Sequence, residues 1–267
     1  MADLFEGKWV LITGASSGLG EQFARQLAQR KANLIVTARS GDKLHALAAE
    51  LRAAHAIATE VIALDLGEPG GAARLCHEVE LLGHPVEHLI SNAGFGTGGA
   101  FLDSDGARQG DMVRLNCEAL TVLSHHFLRA MVTRGSGGVV HVASTASYQP
   151  APYMSTYAAT KAYVLSFSSG IGEELRGTGV HVMALCPGPV PTGFQQAAGV
   201  QIAGGQKRAI LSAEVTVRRG IAAYQRNQAV YVPGAVNRLG TYAAKLAPRG
   251  MIVRMVGKMM KAKEPIA

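Results

Sequence analysis

Short apolar runs alternate with longer helix-patterned stretches from residue 9 to residue 232, and this alternation constrains the chain more than any other feature. The apolar runs are Trp9–Thr13, Asn33–Ala38, Glu60–Leu64, His88–Ser91, Gly138–Ala143, His181–Cys186 and Ala229–Val232. Helical patterning covers about 18–30, 42–54, 71–82, 106–134, 155–176 and 213–227. Strand and helix periods that alternate in this way specify an α/β architecture with a parallel sheet. The residues agree: 48% are hydrophobic but only 6% aromatic, the aliphatic balance that suits strands covered on both faces. A chain of 267 residues is long enough to bury a large core as one domain over 1–267, and no repeat, low-complexity segment or linker interrupts it. Several runs end in Gly, Pro, Asn or Asp clusters, and such sheets collect ligands beyond the carboxyl ends of their strands.

Some functions are disfavoured at once. The cysteines Cys76, Cys117 and Cys186 are odd in number and lack metal-ligand spacing, so they read as buried thiols in a reducing compartment. No His, Cys or carboxylate cluster suggests a metal. His84 and His88 read as surface residues beside Pro85, and no Gly-x-Ser-x-Gly elbow suggests a hydrolase. The start of the chain does not read as a secretory leader, and no apolar run reaches membrane-span length. A cytoplasmic protein is the expectation.

Val10-Leu11-Ile12-Thr13 runs directly into Gly14-Ala15-Ser16-Ser17-Gly18-Leu19-Gly20, where a helix opens. Glycines allow a sharp turn and close backbone approach, while the helix start offers free amides to a pyrophosphate. An ordinary strand–helix turn is the alternative. At the end of the second apolar run, Ala38 stands where an acidic residue would bind a ribose 2′-hydroxyl, and Arg39-Ser40 follows. That arrangement favours the 2′-phosphate of NADP(H) over NAD(H); the alternative for Arg39 is a solvated loop charge. Asp65, followed by Leu66, is placed to accept from an adenine amino group or to cap a turn. Asn92-Ala93-Gly94 suits a backbone beside a flat ring or ribose, and equally a plain turn.

Tyr157 and Lys161 lie one helical turn apart and share a face. Ser144 ends the fifth apolar run, thirteen residues before Tyr157. Delivering hydride to a ketone carbon requires a proton for its oxygen, and a neighbouring ammonium is expected to bring tyrosine's pKa down towards the working range. Tyr157 is therefore read as the acid/base, Lys161 as its electrostatic partner and ribose holder, and Ser144 as the group that bonds the substrate oxygen. Asn116 heads the stripe Asn116, Leu120, Leu123, Phe127, Met131 and is placed either to anchor a water leading to Lys161 or as a satisfied structural residue. In Cys186-Pro187-Gly188-Pro189-Val190-Pro191-Thr192, the prolines stiffen a bend, and the Val190 backbone and Thr192 hydroxyl are candidates for holding a carboxamide.

These motifs, in this order, resemble the short-chain dehydrogenase/reductase family over residues 7 to about 194. The resemblance implies a Rossmann-type sheet of about seven strands in the order 3-2-1-4-5-6-7. It also implies an Asn116–Ser144–Tyr157–Lys161 tetrad and a homodimer or homotetramer through the long central helices. Ser17 stands where many NADP-using members carry Lys or Arg. The run from Tyr157 to Phe194 is more loosely similar to steroid and long-chain 3-ketoacyl reductases. The resulting expectation is an NADP(H)-dependent oxidoreductase acting on a carbonyl or secondary alcohol of an apolar substrate. The alternatives are an NAD-dependent alcohol dehydrogenase and a catalytically silent dinucleotide sensor or scaffold.

Residues 193–212 read as a substrate flap, with Phe194, Val200 and Ile202, joined by Phe95, Tyr148, Tyr153 and Met154, as candidate pocket residues. The net charge of +7 gathers late: from Val215 to Lys263 there is no Asp or Glu. In the basic extension 237–263, Ile252, Met255, Val256 and Met259 read as one helical face and Arg254, Lys258 and Lys261 as another. Such a helix suits an oligomer contact, a peripheral membrane surface or an acidic partner. No base-reading motif supports nucleic acid.

Overall fold

The computed structural model describes residues 3–199 and 210–261. Its strands are β1 (Trp9–Thr13), β2 (Asn33–Ala38), β3 (Thr59–Ala63), β4 (Val86–Ser91), β5 (Gly137–Val142), β6 (Val180–Leu185) and β7 (Val230–Tyr231). They form one parallel sheet in the order β3-β2-β1-β4-β5-β6-β7, as the motifs implied. The order reverses at β1 and β4, which opens a crevice beyond their carboxyl ends.

Helices cover both faces because strand side chains alternate. Val10 and Ile12 enter one core, with Phe23 and Leu27 of α1 (Gly18–Gln29), Leu44 and Leu51 of α2 (Gly41–His55), and Val217 and Ile221 of α8 (Ala213–Tyr224). Leu11 points the other way, towards Leu75 of α3 (Gly71–Leu81) and Leu123, Phe127 and Met131 of α5 (Leu120–Arg134). The remaining helices are α4 (Gly106–Val113), α6 (Ser155–Glu174), α7 (Gly193–Ala198), α9 (Ala235–Leu246) and α10 (Arg249–Lys261). Local chemistry marks their ends. Asp105 accepts from Ala107 N at the start of α4, Ser212 accepts from Val215 N at the start of α8, and Gly135 closes α5 in the left-handed region.

The stretch 106–134, expected as one helix, is divided. A π-helical turn, Arg114–Ala119, joins α4 to α5. Helices α9 and α10 follow β7; the alternation read from the sequence stopped before them. The candidate pocket residues Val200 and Ile202, and Lys263 of the basic extension, lie outside the described residues.

Two histidines are core residues, and His88 corrects the surface reading. It is 4% exposed and its Nδ1 lies 2.9 Å from the Tyr224 hydroxyl, because β4 is an interior strand. His141 is fully buried between Ser124 of α5 and Ser168 of α6, 2.8 Å from each hydroxyl. Burial lowers their pKa values to about 4 and about 3 respectively. Unfolded imidazoles titrate near 6.5, so these two contribute stability that is complete above that pH and is lost as pH falls towards their folded values. Urea unfolding at about pH 7 and about pH 5 is expected to show the loss, with a slope of up to about 2.7 kcal/mol per pH unit for two protons. His141→Phe and His88→Phe together are expected to flatten that slope.

Candidate active site

At the switch point, β1 runs into the glycine turn and β4 locks onto it. The Thr13 hydroxyl accepts from Asn92 N at 3.0 Å and from Ala93 N at 2.9 Å, while Asn92 Nδ2 donates to Thr13 O at 2.9 Å. The Asn92 side chain is therefore a clamp on the turn, the plainer of its two readings. Gly14 has φ +67°, and a Cβ there would crowd Asn92. A Cβ on Gly20 would overlap the Gly14 carbonyl oxygen. The turn thus needs glycine for its own closure, and the same glycines leave Ser16, Ser17, Gly18 and Leu19 lining an open cleft of about 760 Å³.

Ala38, Arg39 and Ser40 line the far end of this cleft. Arg39 is 79% exposed and reaches Asp65 at 3.9 Å, a weak surface pair. Asp65 Oδ1 accepts from Gly67 N at 2.7 Å, so its main contact is the turn reading; the residue still borders the cleft beside Leu66. These residues fit a dinucleotide: glycine-cleared backbone for a pyrophosphate, no acid at position 38, and an exposed, weakly paired guanidinium for a 2′-phosphate.

Ser144, Tyr157 and Lys161 meet in the middle of the same cleft. Ser144 follows β5 and opens a short 3-10 turn, accepting from Ala146 N at 3.1 Å. Lys161 is 6% exposed; its Nζ donates to the Val142 carbonyl at 2.7 Å and lies 5.9 Å from the Tyr157 ring centre. Burial lowers the Lys161 pKa to about 8. Tyr157 moves against expectation. The residue is half-buried and borders the cleft; burial pushes its hydroxyl up to about 12, and the neighbouring Ser144 opposes the rise. Lys161 contributes no resolved lowering, so desolvation outweighs the ammonium. At neutral pH Tyr157 is therefore a protonated donor.

Asn116 sits on the π-helical turn, 1% exposed. Its Oδ1 accepts from Phe95 N at 3.1 Å, and its Nδ2 donates to Phe95 O and to Thr160 Oγ1, each at 3.0 Å. Both amide hydrogens are thus committed, which favours the structural reading over water anchoring. Asn116 ties the Gly94–Phe95 wall to α6 one residue before Lys161. Thr160 was not singled out in the sequence, since a helical threonine carries no distinctive signal.

The segment 187–192 closes the cleft. Thr145 N donates to Pro187 O at 2.8 Å, and Thr192 caps α7 through a capping box with Gln195. Val190 O accepts from Gln195 Nε2 at 2.6 Å. A Cβ on Gly188 would strike the side chain of Asn237, a support from α9 invisible in the linear sequence. Phe194 packs 5.2 Å from the Tyr157 ring, and Phe95 and Met154 border the cleft as expected. Tyr148 and Tyr153 do not: Tyr148 turns to Cys186 Sγ at 3.8 Å, and Tyr153 lines a neighbouring groove. Val256, Met259 and Met260 of α10 complete the apolar end. The expected α10 face is rotated, for Ile252 and Val256 are buried whereas Met255 is 58% exposed. Steps of four residues bring 252, 256 and 260 together.

Among the described residues, no group of His, Cys, Asp or Glu is arranged to hold a metal, and no helix is long and apolar enough to cross a membrane. Cys76 and Cys186 are buried as expected, but Cys117 is only half-buried.

A family model for short chain dehydrogenases matches residues 8–202. Ketoacyl reductase HetN of Nostoc sp. is 34% identical over 69% of this chain and 64% of its own length. The very-long-chain 3-oxoacyl-CoA reductase of Phaeosphaeria nodorum is 32% identical over 67% of this chain and 54% of its own. The chain therefore spans less than two thirds of these curated relatives. A short-chain dehydrogenase from Sphingobium yanoikuyae, solved in complex with NADPH, superposes with a TM-score of 0.80 at 31% identity, covering 88% of this chain and 92% of that one. A short chain dehydrogenase/reductase from Burkholderia phymatum, solved in complex with NAD, gives 0.79 at 25%, covering 90% and 93%.

The bracing role of Asn116 predicts that Asn116→Leu, close in size but apolar, strands the Phe95 and Thr160 groups. Urea unfolding is expected to show a loss of about 1–3 kcal/mol. No loss would mean that the amide does not hold the wall.

Proposed function

The chain belongs to the short chain dehydrogenase family, and on that premise we propose that it is an oxidoreductase that transfers hydride between NADP(H) and a carbonyl or secondary alcohol of an apolar substrate. The observation carrying this reading is the convergence of Ser144, Tyr157 and Lys161 in one cleft with the glycine turn. The bound nicotinamide supplies or accepts the hydride; the chain's own groups manage the oxygen and its proton.

In reduction, Tyr157 donates its proton to the substrate oxygen as negative charge gathers there. A phenol pushed up to about 12 by burial is protonated throughout the neutral range, so the resting charge state suits reduction. Ser144, which lines the same cleft as Tyr157, helps hold the same oxygen. Lys161, anchored on Val142 O, keeps a positive charge beside the tyrosine up to about pH 8 and is placed to hold the nicotinamide ribose. Phe194, with Val256, Met259 and Met260, gives the reacting end an apolar lining. Asn116 is a positioning residue.

Arg39, with Ser16, Ser17 and Ser40 near it, supports NADP(H), as does the NADPH held by the Sphingobium relative. The apolar end, lined by Phe95, Met154, Phe194, Val256, Met259 and Met260, suits a hydrophobic ketone. Ketoacyl, 3-oxoacyl-CoA and hydroxysteroid compounds, named for the relatives, are the substrate classes to examine first. We place the protein in the cytoplasm, where its unpaired cysteines stay reduced, as a homodimer or homotetramer.

The test is oxidation of NADPH and of NADH against a panel of apolar ketones, with Tyr157→Phe beside the unaltered protein. NADPH is expected to support faster turnover. Tyr157→Phe is expected to lower kcat by about 10²-fold or more while NADPH binding persists in a fluorescence titration. A preference for NADH would overturn the cofactor assignment. Binding without turnover in the unaltered protein would favour the silent dinucleotide sensor.

A further inference from the structure

Helix α9 reverses the usual pattern of a surface helix. Its buried positions include the polar Asn237 and Thr241, while Val236, Leu239, Tyr242 and Leu246 are 52%, 72%, 57% and 88% exposed. Val236, Leu239, Ala243 and Leu246 recur every three or four residues, so they form one stripe along the outer face. Soluble helices place such a stripe inward, and a contiguous exposed one marks an interaction surface. Helix α10 follows directly, with Met251 and Met255 exposed beside Arg254, Lys258 and Lys261. A groove separates α10 from the turn Phe101–Asp103, whose Phe101 and Leu102 are 61% and 92% exposed. Asp103 supplies an acid at that groove.

Charge identifies the partner. Residues 235–261 carry Arg238, Lys245, Arg249, Arg254, Lys258 and Lys261 and no Asp or Glu. None of the six forms an ion pair among the described residues, and only Lys245 is turned to a ring, lying 5.1 Å from the centre of Tyr148, which leaves the α10 cations to meet a partner. Two-fold pairing with a second copy would press like charges together around the stripe. An anionic lipid bilayer answers both features, with headgroups for the cations and the acyl boundary for the stripe. We propose that the outer face of α9 and α10, together with the Phe101–Leu102 turn, docks this protein on anionic membranes. Val256, Met259 and Met260, on the other side of α10, line the cleft, so one helix carries both surfaces. That lipophilic substrate enters from the bilayer rests on the catalytic reading above; docking itself does not.

The experiment floats the full chain with phosphatidylcholine vesicles, with and without phosphatidylglycerol. Flotation is expected only with phosphatidylglycerol, and to weaken in high salt. The doubly altered proteins L239E/L246E and R254E/K258E are each expected to bind about tenfold or more weakly. Their NADPH oxidation with a water-soluble ketone is expected to be unchanged. The salt arm needs no variant and the charge reversal leaves the apolar stripe intact, so a folding defect in one variant does not mask the answer. No flotation of the unaltered protein at low salt would overturn the proposal. So would retention of binding by both variants, or light scattering in which L239E/L246E dissociates an oligomer while flotation persists. Absence of all ketone turnover would refute the catalytic reading and leave the flotation result standing.

Discussion

The candidate site depends on where one ammonium is buried. Lys161 Nζ donates to the last carbonyl of β5 at 2.7 Å, fixing α6 against the sheet's carboxyl edge. Tyr157, one turn earlier, thereby faces the cleft, and Ser144, two residues beyond that carbonyl, lines the same cleft. The ammonium is enclosed enough that its pKa falls to about 8, which leaves it charged at neutral pH but not by a wide margin. Other contacts serve this placement. Asn116 braces Thr160, the residue beside Lys161, and Ser147 donates to Lys161 O at 2.7 Å.

The parallel sheet explains why distant motifs meet. Seven strands aligned in one direction deliver Thr13, Ala38, Ser91, Val142 and Leu185 to one edge, and the turns after them border one cleft. Glycine and asparagine after β1 and β4 close the turn as much as they clear it, through the Thr13–Asn92 clamp. Residues that look dedicated to a ligand are also the ones that hold the frame.

This division accounts for what was legible in the sequence. Val10–Thr13 and Asn33–Ala38 were readable because strands buried on both faces must be apolar throughout. The Tyr157–Lys161 pair was readable because its spacing equals a helical turn. Tyrosine's acidity was not: it depends on desolvation by residues far apart in the chain, which outweighed the neighbouring charge. Nor was the break at Arg114–Ala119, where Arg, Leu, Glu and Ala favour an unbroken α-helix. His88 was misread as a surface residue and His141 passed over because their partners Tyr224, Ser124 and Ser168 come from other elements. Helix α9 was missed because it turns polar residues inward, the reverse of the pattern by which a helix is recognised.

The central claim is that a protonated Tyr157 and a charged Lys161 form the working state for reduction. Its most direct test is the pH dependence of kcat/KM for NADPH-driven ketone reduction. The account predicts a level profile through neutrality that declines as pH rises past about 8, following loss of the Lys161 proton. A rate that instead climbs with pH through neutrality to a plateau would show that the working tyrosine is deprotonated, and would contradict it.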